Sequence, residues 1–596
     1  MPHHSQQQNG ASPDSSTRPG SGARPSRVLV FGLDGMTYDV IKPLVDAGHM
    51  PTFKELMQGG AWGELTSVIP PVTGPAWVSF ATGKQPGNHG VFDFFKPTKS
   101  TNAVGMTRRI INSFEADGKT LWSILTEHGR TSIVMNVPVT YPAMPIQGVI
   151  LADMLAPSVD KPEFSKPEGI VRRFEKDLGE YVITVNWQTY SDSTSAQFVR
   201  DTIACEEMRT RYCLRLMDEY PDWQLCFPCF TEPDRIQHAL WKYIDPKDRE
   251  ELKRQGKYDQ SVMDLVIEFY RQVDNDVRRI WEKAGKDTPV FFVSDHGFGP
   301  LYGKFYVNTY LERKGLLKYD KAKIRKAYAG LLMKKVQGKF LKTLGLQKAY
   351  RDMQARKLED RQNAAIKSFY DVFYESIDWE HTKAYMASNT EGGLYINVKG
   401  RRLYGNQVDR GAVDPADYLK VRQEVIDALK QIRHPHTGKP MLSHVEVRED
   451  VYTGKYVDRA PDIVFFLDSG EWLADFGLAK GIFKDADWRT GSGTHRMEGI
   501  FLAHAPGVKT NQGGIKTNIY NVAPTILGYM GLPIPPDMDG KFIQDAFTDE
   551  WKASHPNEYA GSSAAEGKGW GAGASVYNQQ DEEALIDRLR GLGYID

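Results

Sequence analysis

Strand-like and helical patterns alternate along this sequence in the manner of an α/β protein with a large, mostly parallel central sheet and a helical insertion. Short apolar runs rich in β-branched and aromatic residues recur, long amphipathic patterns separate them, and two of the runs lead directly into acidic or histidine residues. In open α/β sheets the carboxyl ends of strands are where ligands bind, so these junctions are the first place to look for chemistry.

The first run, Arg27–Leu33, has the composition of a strand buried on both faces and ends at Asp34-Gly35. Helical patterns follow at Tyr38–Gly48 and Pro51–Gly59, then a strand-like Trp62–Val68. A proline-rich turn then leads into Gly74-Pro-Ala-Trp-Val-Ser-Phe-Ala81. Further apolar strands are readable at Thr131–Asn136, Trp223–Phe230, Pro289–Ser294 and Asp462–Phe466, and long helices at Ser195–Glu219 and Tyr258–Ala284.

A chain of 596 residues can fill a large core and bury a costly polar site. With 41% hydrophobic and 25% charged residues and a formal net charge of −1, it is an ordinary globular composition with no bulk attraction to nucleic acid, so no nucleic-acid partner is expected. The four cysteines, Cys205, Cys213, Cys226 and Cys229, are too few and too clustered for a disulfide framework. Cys226 and Cys229 lie inside an apolar run and read as buried reduced thiols. Residues 1–26 read as a disordered leader, and no apolar stretch has the length of a signal peptide or a membrane span, so a cytoplasmic protein is expected. Between Lys321 and Arg361 thirteen Lys or Arg stand against three acidic residues, interleaved with apolar residues at helical spacing. This segment reads as a solvated surface insertion or as a docking face for an anionic surface. The expected organisation is a leader, a first catalytic part over 27–320, a basic helical insertion over 321–366, a second catalytic part over 367–548 and a tail over 549–596 with a short helix.

Four separate segments supply side chains suited to divalent metals: Asp34, Asp234-x-x-x-His238, Asp295-His296 and His495. Residues four apart share a helix face, so Asp234 and His238 can converge on one ion. Asp295-His296 follows the buried run Pro289–Ser294 and precedes Gly297-Phe-Gly299, so a carboxylate there needs a cation. Six ligands divide into two sets of three with coordination positions left open, and two ions about 4 Å apart can clamp a phosphoryl group. Thr73, in Ile69-Pro-Pro-Val-Thr73-Gly-Pro75, stands at a helix start. Metal coordination can activate its hydroxyl there, and a backbone N–H such as that of Gly74 can bind a phosphate oxygen. Read alone, Thr73 serves equally as a helix cap.

Together these segments resemble the type I phosphodiesterase/nucleotide pyrophosphatase branch of the alkaline phosphatase superfamily. The matching pieces are Val28–Gly35, Pro70–Trp77, Ala81–Gly90, Thr231–His238, Ser294–Gly297 and Thr494-His495, in the family's order. Asn518–Leu527 resembles the closing part of its catalytic domain, and Leu585–Tyr594 a short C-terminal helix of the superfamily. The resemblance implies a three-layer alkaline-phosphatase-like fold and two divalent ions, zinc with manganese or iron as alternatives. It implies that Asp34, Asp295 and His296 hold one ion beside Thr73, the nucleophile of a phosphothreonine mechanism, and that Asp234, His238 and His495 hold the other.

One position departs from the pattern. Where many nucleotide pyrophosphatases place an asparagine on a phosphoryl oxygen, this chain has Phe94, which donates no hydrogen bond. Another phosphodiester, a phosphomonoester or a phosphonate is therefore an alternative substrate, carried by a phosphorylated small molecule or lipid head group. Thr73-Gly-Pro75-Ala-Trp77 lacks the cysteine and arginine of sulfatases. A catalytically silent metal-containing binding protein is the reading from outside the enzymes.

Overall fold

The computed structural model describes residues 26–98, 107–325, 376–390, 392–403, 406–407, 411–561 and 576–594. The expected leader and most of the basic insertion lie outside the described residues.

The apolar runs become a nine-stranded sheet. Its strands are β1 (Val28–Leu33), β2 (Ala61–Thr66), β3 (Ser132–Met135), β4 (Gly148–Leu151), β5 (Ser165–Lys166), β6 (Leu225–Phe230), β7 (Val290–Val293), β8 (Glu498–His504) and β9 (Gln512–Asn518). The spatial order is β9-β2-β8-β7-β1-β6-β3-β4-β5. The five strands from β7 to β4 run parallel, and β8 is antiparallel to both its neighbours. β1, β6 and β7 are buried along their whole length, which is why their sequences are continuous apolar runs rather than alternating ones.

Helices cover both faces. On one, Phe31 and Phe292 stack at 5.0 Å, and Phe292 meets Phe53 of the helix Pro51–Gly59. On the other, Phe227 meets Trp77 and Phe80 of α1 (Thr73–Thr82). Each such ring, fully withdrawn from water, contributes about 1.5–3 kcal/mol relative to an exposed one. The helices expected at Ser195–Glu219 and Tyr258–Ala284 form as α2 (Ser195–Glu219) and α3 (Gln260–Ala284). All four cysteines are buried and free.

Asp462–Phe466, read as a strand of the same sheet, belongs elsewhere. Ile463–Leu467 lies in a second sheet of seven strands contributed by residues 303–485 and paired mostly antiparallel. Length and apolarity identify a strand but not the sheet it joins. β8 and β9, which flank β2, were not anticipated; β9 pairs with β2 in parallel, and the antiparallel share of the central sheet comes from β8 and from β5 against β4.

Topology positions the site. β6, β1 and β7 are adjacent and parallel, so the chain leaves all three at one edge of the sheet, delivering Thr231–Asp234, Asp34 and Asp295 together. β2 runs in the same sense, and the segment after it reaches Thr73 at that edge. β8 runs the opposite way, so the residues just before it, including His495, arrive at the same edge.

Candidate active site

All seven residues singled out from sequence meet at this edge. The Asp34, Thr73, Asp234, Asp295 and His296 side chains have no exposure, and His238 and His495 keep 11% of theirs. Thr73 Oγ1 lies 3.4 Å from His296 Nε2. That nitrogen is 3.1 Å from Asp295 Oδ2, 3.7 Å from Asp34 Oδ1 and 3.9 Å from Asp234 Oδ1. Asp234 Oδ1 also faces His495 Nε2 at 3.3 Å and His238 Nε2 at 3.5 Å. Two sets have the spacing of metal ligands, Asp234 with His238 and His495, and Asp34 with Asp234 and His296. Asp234 thus stands between the two groups, and Asp295 adjoins the second through His296.

The backbone around each ligand fixes its aim. Gly35 turns the chain after β1 at φ +70°, and a Cβ there would lie 3.1 Å from Asp234, so a side chain at this position is strained and crowded. Its N–H donates to Asp295 Oδ1, and Gln237 Nε2 donates to its carbonyl. Asp234 and His238 lie one turn apart on α4 (Glu232–Ile244). Gly297–Pro300 pairs with Gly493–Arg496, which sets His495 beside His296, ring centroids 3.6 Å apart.

Each histidine presents Nε2 to the cage and turns Nδ1 to a backbone carbonyl: His238 to Gly493, His296 to Gly297 and His495 to Pro71, at 3.1, 3.1 and 2.9 Å. A carbonyl can only accept, so Nδ1 carries the proton and Nε2 offers a lone pair. This outer hydrogen bond is the one found behind metal-bound imidazoles. In contrast, Asp34 Oδ1, Asp234 Oδ1 and Asp295 Oδ2 are buried without a well-formed hydrogen bond among the described residues. Three orphaned carboxylate oxygens facing three imidazole lone pairs fit divalent cations.

Electrostatics agree. Burial, reinforced by Asp295 and Asp234, raises the Asp34 carboxyl well above its usual range, and burial first of all lifts Asp295 to about 8. Burial lowers His238 to about 4 and His296 well below its usual value. Asp234 is the exception. Burial alone would raise it, but His238, Arg235 and His495 bring it far down.

Further residues line the site without having been singled out. Trp77 Nε1 donates to Asp34 Oδ2 at 3.1 Å. Trp77→Phe keeps the aromatic packing and deletes this donor, and is expected to weaken metal binding about 10-fold, read by competition with a chromogenic chelator. Arg235, fully buried, donates to Asp234 Oδ2 and, at 3.1 Å, to the Tyr594 hydroxyl. The Tyr594 hydroxyl in turn lies 2.8 Å from Thr73 Oγ1. Phe94 is buried against the Tyr594 ring at 4.6 Å between centroids, and it would touch any side chain at Gly74. In the sequence, an arginine next to a ligand aspartate was a visible signal for Arg235. Nothing links Tyr594 to Thr73, 521 positions away.

Residues 28–480 match the type I phosphodiesterase / nucleotide pyrophosphatase family. The chain belongs to that family. Members of this family are metal-dependent, and the chain is accordingly a phosphoric ester hydrolase with Asp/His groups spaced to hold metal. No curated protein sequence matches the chain. Among solved structures, phosphonoacetate hydrolase from Sinorhizobium meliloti 1021 in complex with phosphonoformate aligns at 15% identity over 86% of this chain and 98% of that one, with a TM-score of 0.48. Murine ectonucleotide pyrophosphatase/phosphodiesterase 5 aligns at 16% identity over 88% of this family member and all of its own chain, with a TM-score of 0.43. No described helix of this family member is long and apolar enough to cross a membrane.

Proposed function

We propose that this chain hydrolyses a phosphorus ester of a small molecule or lipid head group, with Thr73 as nucleophile and a phosphothreonine intermediate. The observation that carries the reading is the gathering of three histidine Nε2 atoms and three carboxylates, each with one orphaned oxygen, in one buried cluster whose His296 Nε2 lies beside the Thr73 hydroxyl. In this reading Asp34, Asp295 and His296 hold one divalent ion, zinc by preference, and Asp234, His238 and His495 a second. Bound there, the ions supply charge neutralisation and lower the pKa of a hydroxyl or water.

The residues of the chain do the rest. Thr73 Oγ attacks phosphorus, the bond to the leaving oxygen breaks, and the alcohol departs with a proton. Water then cleaves the phosphothreonine bond and restores the hydroxyl. The first-turn N–H of Gly74 points a positive helix end at the phosphoryl oxygens. The exposed rims of His238 and His495 provide the approach for substrate.

Phosphodiesters are the family's substrates, and a second reading, a phosphomonoester or phosphonate, is favoured by Phe94, whose ring offers no donor. The test is a panel of aryl phosphodiester, aryl phosphomonoester, phosphonate and sulfate on zinc-loaded protein. Turnover of at least one phosphorus ester with sulfate inert is expected; zinc-loaded protein inert on all of them would leave a binding protein in place of an enzyme.

A further inference from the structure

The C-terminal segment enters the site in a way that the family's reaction does not require. After α5 (Gln579–Gly591) the chain turns at Gly593, φ +87°, where a Cβ would lie 3.0 Å from Trp187, and this turn drives Tyr594 inward until 4% of it stays exposed. The segment is firmly held. Leu585, Leu589 and Leu592 are fully buried, and Trp187 Nε1 donates to the Leu592 carbonyl at 3.0 Å. Arg588 donates to the carbonyls of Met154, Ala156 and Pro157, and Tyr577 to those of Ile111 and Leu155.

Tyr594 packs at a tilt against Phe94 and sets its hydroxyl between Thr73 Oγ1 and the Arg235 guanidinium, which lies 5.5 Å from the tyrosine ring centre. Arg235 is thus a cation with no exposure within two bonds' reach of the attacking oxygen. Burying it is costly, and its partners Asp234 and Tyr594 both belong to the site. A guanidinium beside a hydroxyl is a pair of donors suited to a phosphoryl oxygen.

Resting on the phosphoryl-transfer reading above, we infer that Arg235 and Tyr594 form a donor pair that binds a non-bridging oxygen of the substrate at Thr73 and selects phosphoryl groups carrying two negative charges. Phe94 supplies the platform and the tail supplies the donor that Phe94 lacks. Arg235 adds one positive charge to the cage, which a terminal phosphate or phosphonate uses and a diester, with one charge, does not.

The test is calorimetric binding of inorganic phosphate to zinc-loaded wild type, Tyr594→Phe and Arg235→Lys, with metal content and Tm recorded. Turnover of an aryl phosphomonoester and an aryl phosphodiester is measured in parallel. Tyr594→Phe keeps the ring on Phe94, so the expected result is native metal content and Tm with phosphate affinity lowered about tenfold to hundredfold. Monoester kcat/KM should fall further than diester kcat/KM in both variants. Phosphate affinity in Tyr594→Phe equal to or tighter than wild type overturns the inference, as does an equal loss on both esters. Wild type that binds no phosphate when loaded defeats the phosphoryl-transfer reading itself, a distinct outcome.

Discussion

Replacing Thr73 by alanine is expected to lower kcat by at least about 10³-fold while zinc stoichiometry stays at the wild-type value. The threonine is fully buried at the start of α1, its Oγ1 within 3.4 Å of His296 Nε2 and 2.8 Å of the Tyr594 hydroxyl, and alanine removes that oxygen and little else. The imidazoles keep their backbone carbonyls and the carboxylates keep Trp77, Arg235 and the Gly35 N–H, so metal binding is expected to survive. Thr73→Ser returns an oxygen to the same place and should recover a measurable part of the rate. Steady-state turnover with metal analysis on the same samples decides it: an alanine variant within about tenfold of wild type would take Thr73 out of the mechanism.

Stripping the metal is expected to abolish turnover and to make stability fall more steeply as pH rises from 6.5 to 8. An acid with a higher pKa folded than unfolded binds more protons when folded, so its contribution to stability is lost as pH rises toward the folded value. Asp295, lifted to about 8 chiefly by burial, behaves this way in the metal-free chain, and Asp34 has the same sign. His238, lowered to about 4, acts oppositely, adding stability as pH rises from 4 to about 6.5. The Asp295 contribution falls mainly above pH 6.5, where most of the His238 gain has already been made.

Metal-free protein should therefore lose about 2 kcal/mol between pH 6.5 and 8 from Asp295 alone. Asp153, Glu206 and Asp276, raised to about 7, 7 and 8, share that sign but stand apart from the cage, so they cancel when metal-free and loaded protein are compared. Loaded protein should lack the cage's share, release protons on binding metal, and gain about 4 kcal/mol per site at a thousandfold excess over Kd. Denaturation curves at pH 6.5, 7.2 and 8 with and without zinc measure this. Parallel curves for the two forms would mean that the carboxylates do not face a cation.

The candidate ligands could be picked out from sequence because chemistry and topology coincide at them. Asp34 and Asp295 each end a fully apolar run, and parallel neighbours must end at one edge, so two strand readings already imply one site. Asp234 and His238 carried helical spacing. His495 has no such local mark. It reaches the site through pairing of Gly493–Arg496 with Gly297–Pro300, a long-range contact that only the family's motif order could suggest. Tyr594 lay beyond reach for the same reason, since an apolar tail after an amphipathic helix says that the tail packs, not where. The assignment of Ile463–Leu467 to a second sheet follows suit, because partner choice is decided by tertiary packing that a short apolar run does not encode.

The pairing of β7 with β8, strands separated by a long stretch of chain, bears on biosynthesis. During translation, β1, β6 and β7 are complete long before His495 leaves the ribosome. A nascent chain that ends before His495 therefore carries the candidate carboxylates without the full set of donors, so the cage is complete only once Gly493–Arg496 has been made and has paired with Gly297–Pro300.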